Sequence, residues 1–299
     1  NAVEVTLGQT VFTVPDGFTV ERVAGPPLVD RPITAAFDEQ GRLYVADSSG
    51  SNDPVQKQLA EKPHRIVRLE DRDGDGQFDH SVVFADKMMF PEGTLWHDGS
   101  LYVSAPPSIW RLTDTDGDGQ ADRSTVFADG LNIPTGLETA DGGVYVGQAT
   151  DLLFLRDLDD DGHADERQVL LSGFGTGDTH QAINSFTWSP DGELFFCQGD
   201  GIESRVETPW GVSSLYQAGV YRLRPGRLQL HGLLDDFMGP GNPWGIVFDD
   251  WGQSLVVDGA GGISYLTPAS IPAKHRLRLD RIGNPGGYCG VEMINGRQM

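Results

Sequence analysis

The stretch Asp71-Arg-Asp-Gly-Asp-Gly-Gln-Phe-Asp79 decides the reading of this chain. It returns as Asp114-Thr-Asp-Gly-Asp-Gly-Gln-Ala-Asp122 and again as Asp157-Leu-Asp-Asp-Asp-Gly-His-Ala-Asp165, a constant period of 43 residues. Each copy sets carboxylates at loop positions one, three, five and nine: Asp71, Asp73, Asp75 and Asp79; Asp114, Asp116, Asp118 and Asp122; Asp157, Asp159, Asp161 and Asp165. Alternate carboxylates curling around a glycine at position six (Gly76, Gly119, Gly162) suit calcium, a hard cation that gathers oxygen ligands. Position twelve is Val82, Thr125 or Gln168 where an EF-hand carries glutamate, and the flanks read as strands, such as Arg65–Leu69 and Ser81–Phe84. Each loop is therefore expected to turn a β-hairpin, with calcium as its ligand.

A period of 40 to 45 residues with several short strands per repeat is the mark of a β-propeller. A second ladder agrees. Segments opening at Pro32, Pro91, Pro134, Ile183 and Pro243 each run into a turn (Glu39–Gly41, His97–Gly99, Ala140–Gly142, Pro190–Gly192, Asp250–Gly252) and then a second apolar strand such as Leu43–Val45 or Leu101–Val103. The expectation is an all-β, six-bladed propeller formed by one domain over residues 1–299, with blades starting near 32, 91, 134, 183, 243 and 286. In residues 1–31, Phe18–Val23 reads as an outer strand able to close the last blade. Closing a ring removes sheet edges, so the short run after Gly286 is read as a last blade that the chain ends within.

Composition narrows the function classes. A formal net charge of −22 argues against nucleic acid and anionic membrane as partners. No apolar run reaches the ~20 residues of a membrane span. Cys197 and Cys289 form no metal or haem motif and read as core filler. Calcium loops of weak affinity fill outside the cytosol, which points to a periplasmic or secreted setting.

In a propeller the acidic loops, joining third to fourth strands, lie opposite the channel mouth, so the functional search moves to the other connections. Two of these are long: 48–63, with Lys57 and Lys62, and 199–218, with Arg205. The glycine-rich Gly173–Gln181 ends at His180, a candidate general base. Ile33, Glu92, Thr135, Asn184 and Trp244 align at the second position of the inner strands; Glu92 and Asn184 offer oxygens for a central cation in a lactone-hydrolysing alternative. A non-catalytic propeller binding glycan or protein through its rim is a third reading.

Val45–Gly50 with Lys62–Ile66, Phe90–Gly93, Ala105–Trp110, Asp114–Gly119 and Gly173–Gly177 resemble the membrane-bound dehydrogenase family of PVC-type bacteria, over nearly the whole chain. That family is more distantly similar to soluble pyrroloquinoline-quinone (PQQ) glucose and sorbosone dehydrogenases. The resemblance implies a sugar or polyol oxidoreductase, with PQQ as a cofactor beside calcium. It assigns His180, ahead of Asn184–Trp188, as the base, and it leaves Lys57, Lys62, Arg65 and Arg205 to hold the cofactor carboxylates. It also implies a C-type haem segment in a longer polypeptide.

Overall fold

The computed structural model describes residues 2–178, 181–234, 241–259, 263–266 and 290–293. A hairpin of β1 (Ala2–Leu7) and β2 (Thr10–Pro15) comes first. The first blade follows as β3 (Pro32–Phe37), β4 (Leu43–Asp47), β5 (His64–Glu70) and β6 (His80–Met88), with helix α1 (Val55–Glu61) between β4 and β5. The second blade is β7 (Gly93–His97), β8 (Ser100–Ala105), β9 (Ser108–Thr113) and β10 (Arg123–Ala128). The third is β11 (Pro134–Ala140), β12 (Gly143–Gln148), β13 (Asp151–Arg156) and β14 (Glu166–Ser172).

The fourth blade begins with β15 (Asn184–Trp188) and β16 (Leu194–Gln198). It then interposes a hairpin of β17 (Glu203–Thr208) and β18 (Gly211–Tyr216) before β19 (Gly219–Arg224) and β20 (Gln229–Leu234). A fifth sheet holds β21 (Pro243–Phe248), β22 (Ser254–Asp258) and β23 (Ile263–Leu266). These small antiparallel meanders make the protein a β-propeller. Two compact units divide the chain, one of Arg22–Gln148 with Phe154–Gln168, the other of Asn1–Glu21, Ala149–Leu153 and Val169–Met293.

Local chemistry explains the hairpins. Asp98 and Gly99, and again Asp141 and Gly142, take consecutive positive φ values (45° and 71°; 55° and 73°), the geometry of a type I′ turn that matches strand twist. The second strands are buried on both faces: all six residues of β8 and all five of β16 are inside. In the first unit Tyr44 meets Phe84 edge-on and stacks on Trp96, each at 4.8 Å, within a cluster that includes Ile66, Leu101 and Leu112. In the second, Phe195, Cys197, Val220, Ile246 and Val256 form a core between the fourth and fifth sheets, and burial pushes the Cys197 thiol up to about 12.

One contact repeats with the sequence period. The N–H at loop position eight donates to a carbonyl of the chain running outside it: Phe78 to Val23 at 2.9 Å, Ala121 to Phe84 at 2.8 Å, and Ala164 to Phe127 at 2.8 Å. Phe84 and Phe127 belong to β6 and β10, the outer strands of the preceding blades. Val23 takes the corresponding role, yet the described residues show no strand at 18–23, because that stretch pairs with no neighbouring strand there.

Two other expectations change. Residues 48–63 and 199–218 are not plain loops but carry α1 and the β17–β18 hairpin. Arg65 and Arg205 accordingly stand on strands and not in rim loops. The sixth blade start near 286 and Cys289 lie outside the described residues.

The glycines of Gly173–Gly177 have a packing reason. A Cβ at Gly173, Gly175 or Gly177 would overlap the carbonyl oxygen of Arg205, Glu203 or Gly201 respectively. The alternation matches the two-residue period of β17, so the segment runs flush along the hairpin. Arg205 N–H donates to Gly173 O at 2.9 Å and Gly175 N–H to Ser204 Oγ at 2.8 Å. Gly175→Ala is expected to cost about 2 kcal/mol or more, since a backbone carbonyl must move, while a methyl at an unobstructed site stays within ~0.5 kcal/mol. Gly226→Ala, which meets nothing within 4 Å, supplies that reference in denaturant melts.

Candidate functional site

Each acidic loop folds around its first aspartate. Asp71 Oδ1 accepts the Gly74 N–H and its Oδ2 the Gly76 N–H, both at 2.8 Å. Asp114 repeats this with Gly117 at 2.7 Å and Gly119 at 2.8 Å. The Gly76 amide, followed by that of Gly74, holds the Asp71 carboxyl below the usual carboxylate range. Three carboxylates per loop bring oxygens within 4.8 Å of one another: Asp71, Asp73 and Asp75; Asp114, Asp116 and Asp118; Asp157, Asp159 and Asp165. Asp79 and Asp122 serve the loop instead, accepting the position-two amides of Arg72 at 3.2 Å and Thr115 at 3.0 Å. Asp161 stands apart from the third group and accepts the His163 N–H at 2.8 Å.

The third loop tests whether a cation fits. Asp157 Oδ2 accepts the Gly162 N–H at 2.8 Å, but its Oδ1 is buried with no hydrogen-bond partner. The partner used in the other loops is the N–H of a position-four glycine, here replaced by Asp160 at φ 61°. Leaving a buried carboxylate oxygen unmatched costs on the order of 1–3 kcal/mol, which a coordinated cation removes. Asp157, Asp159 and Asp165 would hold it, with hard oxygen donors throughout.

Inner-strand starts are kinked. Pairing registers shift between Pro32 and Ala35, Pro134 and Gly136, Asn184 and Thr187, and Pro243 and Gly245, and such bulges re-aim side chains. In the second blade β7 and β8 pair without such a shift, and Phe90 (φ 40°) before Pro91 takes the left-handed turn that Ile133 (φ 51°) takes before Pro134, ahead of Glu92. The Glu92 N–H donates to Ser104 O at 2.9 Å. Its side chain is partly buried, desolvation pushes the carboxyl up to about 7, and among the described residues that carboxyl meets no hydrogen-bond or ion-pair partner. Asn184, in the other unit, is buried and bonded locally: Nδ2 donates to Ala182 O at 2.9 Å, and Oδ1 accepts from Ser185 Oγ at 2.7 Å. His180 lies outside the described residues.

The four basic residues each have their own local setting. Lys57 is exposed and ion-paired with Asp53 at 2.9 Å. Arg65 clamps Asp47 through Nε at 2.9 Å and Nη2 at 2.7 Å. Burial raises the Asp47 carboxyl, but the Arg31 amide and Arg65 outweigh it and leave it low. Lys62 is exposed at the C-cap of α1. Arg205, in the other unit, lies 5.7 Å over the Tyr216 ring. Lys57 and Arg65 are thus already engaged by the carboxylates of Asp53 and Asp47.

Sequence reasoning passed over His64, which no motif marks. Its ring is buried; Nδ1 accepts the Ser49 N–H at 3.2 Å, which leaves Nε2 to donate to Gln58 Oε1 at 3.1 Å. That fixes the neutral tautomer.

Small antiparallel sheets, three of them with an acidic loop between their third and fourth strands, define this protein as an acidic-loop β-propeller. The chain belongs to the family of a domain of unknown function, DUF7133, whose family model matches residues 6–121 and 108–268. No curated protein matches the chain. Among solved structures, a protein of unknown function from Bacteroides thetaiotaomicron aligns at 10% identity and TM-score 0.55, over 81% of this chain and 56% of that one, and supports the propeller fold. A structural-genomics target described as a gluconolactonase aligns at 20% identity and TM-score 0.44, and the chain spans 62% of that protein's length and 62% of its own. The PQQ domain of a pyranose dehydrogenase from Coprinopsis cinerea aligns at 13% identity and TM-score 0.45, over 57% of this chain and 44% of that one. No helix among the described residues is long and apolar enough to cross a membrane.

The buried imidazole gives a signed pH dependence. Burial lowers the His64 pKa below the ordinary 6.5, and desolvation does the same for His231. The unfolded chain therefore takes up these protons first, so stability is fully present above 6.5 and falls as pH drops below it. His64→Phe is expected to be less stable than the parent at pH 8 and to lose less on further acidification, as read from urea melts at pH 8, 6.5 and 5.

Proposed function

We propose that this chain is the calcium-bound propeller part of an enzyme acting on a sugar-derived small molecule, with the Glu92 carboxyl as its acid–base group. One observation carries the reading: a carboxyl at the start of an inner strand, without a partner among the described residues and raised to about 7. Such a group takes a proton and returns it at neutral pH, the property that general acid–base catalysis needs. Three buried carboxylates, those of Asp38, Asp47 and Glu193, each meet an arginine, so an unpaired inner one is an exception among the described residues.

Hydrolysis of a sugar lactone is the chemistry favoured. Water attacks the lactone carbonyl as Glu92 draws off its proton, and that proton returns to the ring oxygen as it leaves. Oxidation of a sugar or polyol, implied by the family resemblance, would need PQQ and a haem-bearing continuation to take its electrons. Two of the residues that would hold its carboxylates, Lys57 and Arg65, are already paired with Asp53 and Asp47. Calcium in the three loops is supported by the orphaned Asp157 Oδ1, and a periplasmic or secreted setting would supply it.

With calcium present, the protein is expected to hydrolyse five- or six-membered sugar lactones at a rate that rises with pH through about 7, as Glu92 loses its proton. Glu92→Gln should cut turnover by about two to four orders of magnitude in a pH-stat assay. Full turnover by that variant removes the assignment, and dye-linked oxidation that appears only with added quinone transfers the chemistry to a dehydrogenase. Separately, calcium at ~100 times its dissociation constant should add about 2.7 kcal/mol per site to stability. Elemental analysis should show Asp73→Asn, Asp116→Asn and Asp159→Asn each losing one bound ion; an unchanged melt with chelator and no bound metal would leave the loops as plain turns.

A further inference from the structure

His64 sits where two parts of the rim meet. On one side its ring nitrogens hold residues 48–63: Nδ1 accepts the Ser49 N–H, and Nε2 donates to Gln58, the one buried residue of α1. Gln58 passes the restraint on, since its Nε2 donates to Asp53 O at 2.7 Å. On the other side the imidazole packs edge-on against Phe90 with ring centroids 4.9 Å apart. Phe90 has φ 40°, a left-handed conformation that a bulky residue holds only when its surroundings impose it. That turn sends the chain through buried Pro91 into Glu92, whose amide is pinned to Ser104 O. His64 also pairs with Met88 across β5 and β6, so its backbone is fixed by the sheet.

From these contacts we propose that His64 is a positioning residue, joining the 48–63 insertion to the Phe90–Glu92 turn so that the insertion forms a wall of the site at Glu92 and selects its substrate. The inference rests on Glu92 as the acid–base group. The imidazole touches no reacting atom. It acts through Phe90 on the direction of the carboxyl and through Gln58 on the insertion. The insertion brings Asp53, Lys57, Glu61 and Lys62, of which Lys57 is tied to Asp53 at 2.9 Å and lies 3.9 Å from Glu61. Lys62 alone of these has no ion-pair partner among the described residues, and as a donor it suits a hydroxyl-rich or carboxylate-bearing substrate.

Amide hydrogen exchange on the full chain tests the coupling without any turnover. In His64→Ala, peptides covering 49–61 and those covering 90–95 are both expected to exchange about tenfold faster or more, while β8 keeps its protection. Unchanged protection at 90–95 overturns the proposal, because the imidazole then holds the insertion alone. Should His64→Ala fail to fold, Gln58→Leu cuts only the insertion side. It is expected to loosen 49–61, to raise KM by about tenfold and to leave kcat within about twofold, the pattern of lost uniform binding. Equal KM in Gln58→Leu and the parent overturns the role of the insertion. In folded His64→Ala, kcat should also fall and its acidic limb should move, a change not shared by Val67→Ala, a core variant on the same strand; a shared change overturns positioning. If Glu92→Gln is fully active while the two segments still loosen together, the acid–base reading fails and the coupling stands.

Discussion

The hydrogen bond from position eight of each acidic loop to the chain outside it governs how this molecule is assembled. Phe78, Ala121 and Ala164 each donate outward, and the acceptors Phe84 and Phe127 are separated by the same period as the loops that reach them. Extra chain enters between the second and third strands, as α1 in the first blade and as β17–β18 in the fourth, and the bond from Phe78 to Val23 is kept at 2.9 Å although α1 lies between the two. Where the acidic loop is absent, at the fourth blade, a 3-10 turn over Pro225–Arg227 joins the outer strands, and the strict period stops with it.

Charge is distributed by the same logic. The acidic surplus sits in exposed loops where backbone amides and glycine turns accommodate it, whereas inner carboxylates are matched one by one with arginines. Asp38 meets Arg42, Asp47 meets Arg65, and Glu193 meets Arg222 at 3.2 Å and also Arg224. Arg68 joins the two regimes. It is buried, bonds Glu70 at 2.6 Å within its own blade, and reaches Asp114 in the next loop at 3.3 Å. Against this pairing Glu92 stands out as a group whose proton is not fixed by a neighbouring charge.

Much of the fold was legible because its cues are local. Asp-Gly turns, apolar alternation and a constant period need no knowledge of tertiary contacts, and the strands at Leu43–Asp47 and Ser100–Ala105 follow from them. The site was less legible. Arg65 reads as a free cation until Asp47 is seen beneath it, and the Gly173–Gly177 run reads as a flexible loop until β17 is seen alongside. His64 carries no motif because its meaning lies in Gln58 and Phe90, brought near only by the folding of the first blade. Which acidic side chains gather likewise depended on loop geometry: position nine accepts the position-two amide in all three loops, at Asp79, Asp122 and Asp165, but only Asp165 also joins its loop's cluster of carboxylates.

The sulfur of Cys197 carries a last consequence. It lies wholly inside the core between the fourth and fifth sheets, and with its pKa pushed up to about 12 it holds almost no thiolate at neutral pH. Alkylation and disulfide exchange both proceed through the thiolate, so the folded sulfur is chemically silent even in an oxidising compartment. Its reactivity returns only when the two sheets part. That makes it a built-in clock: the rate at which a thiol reagent captures it counts the openings of this part of the propeller.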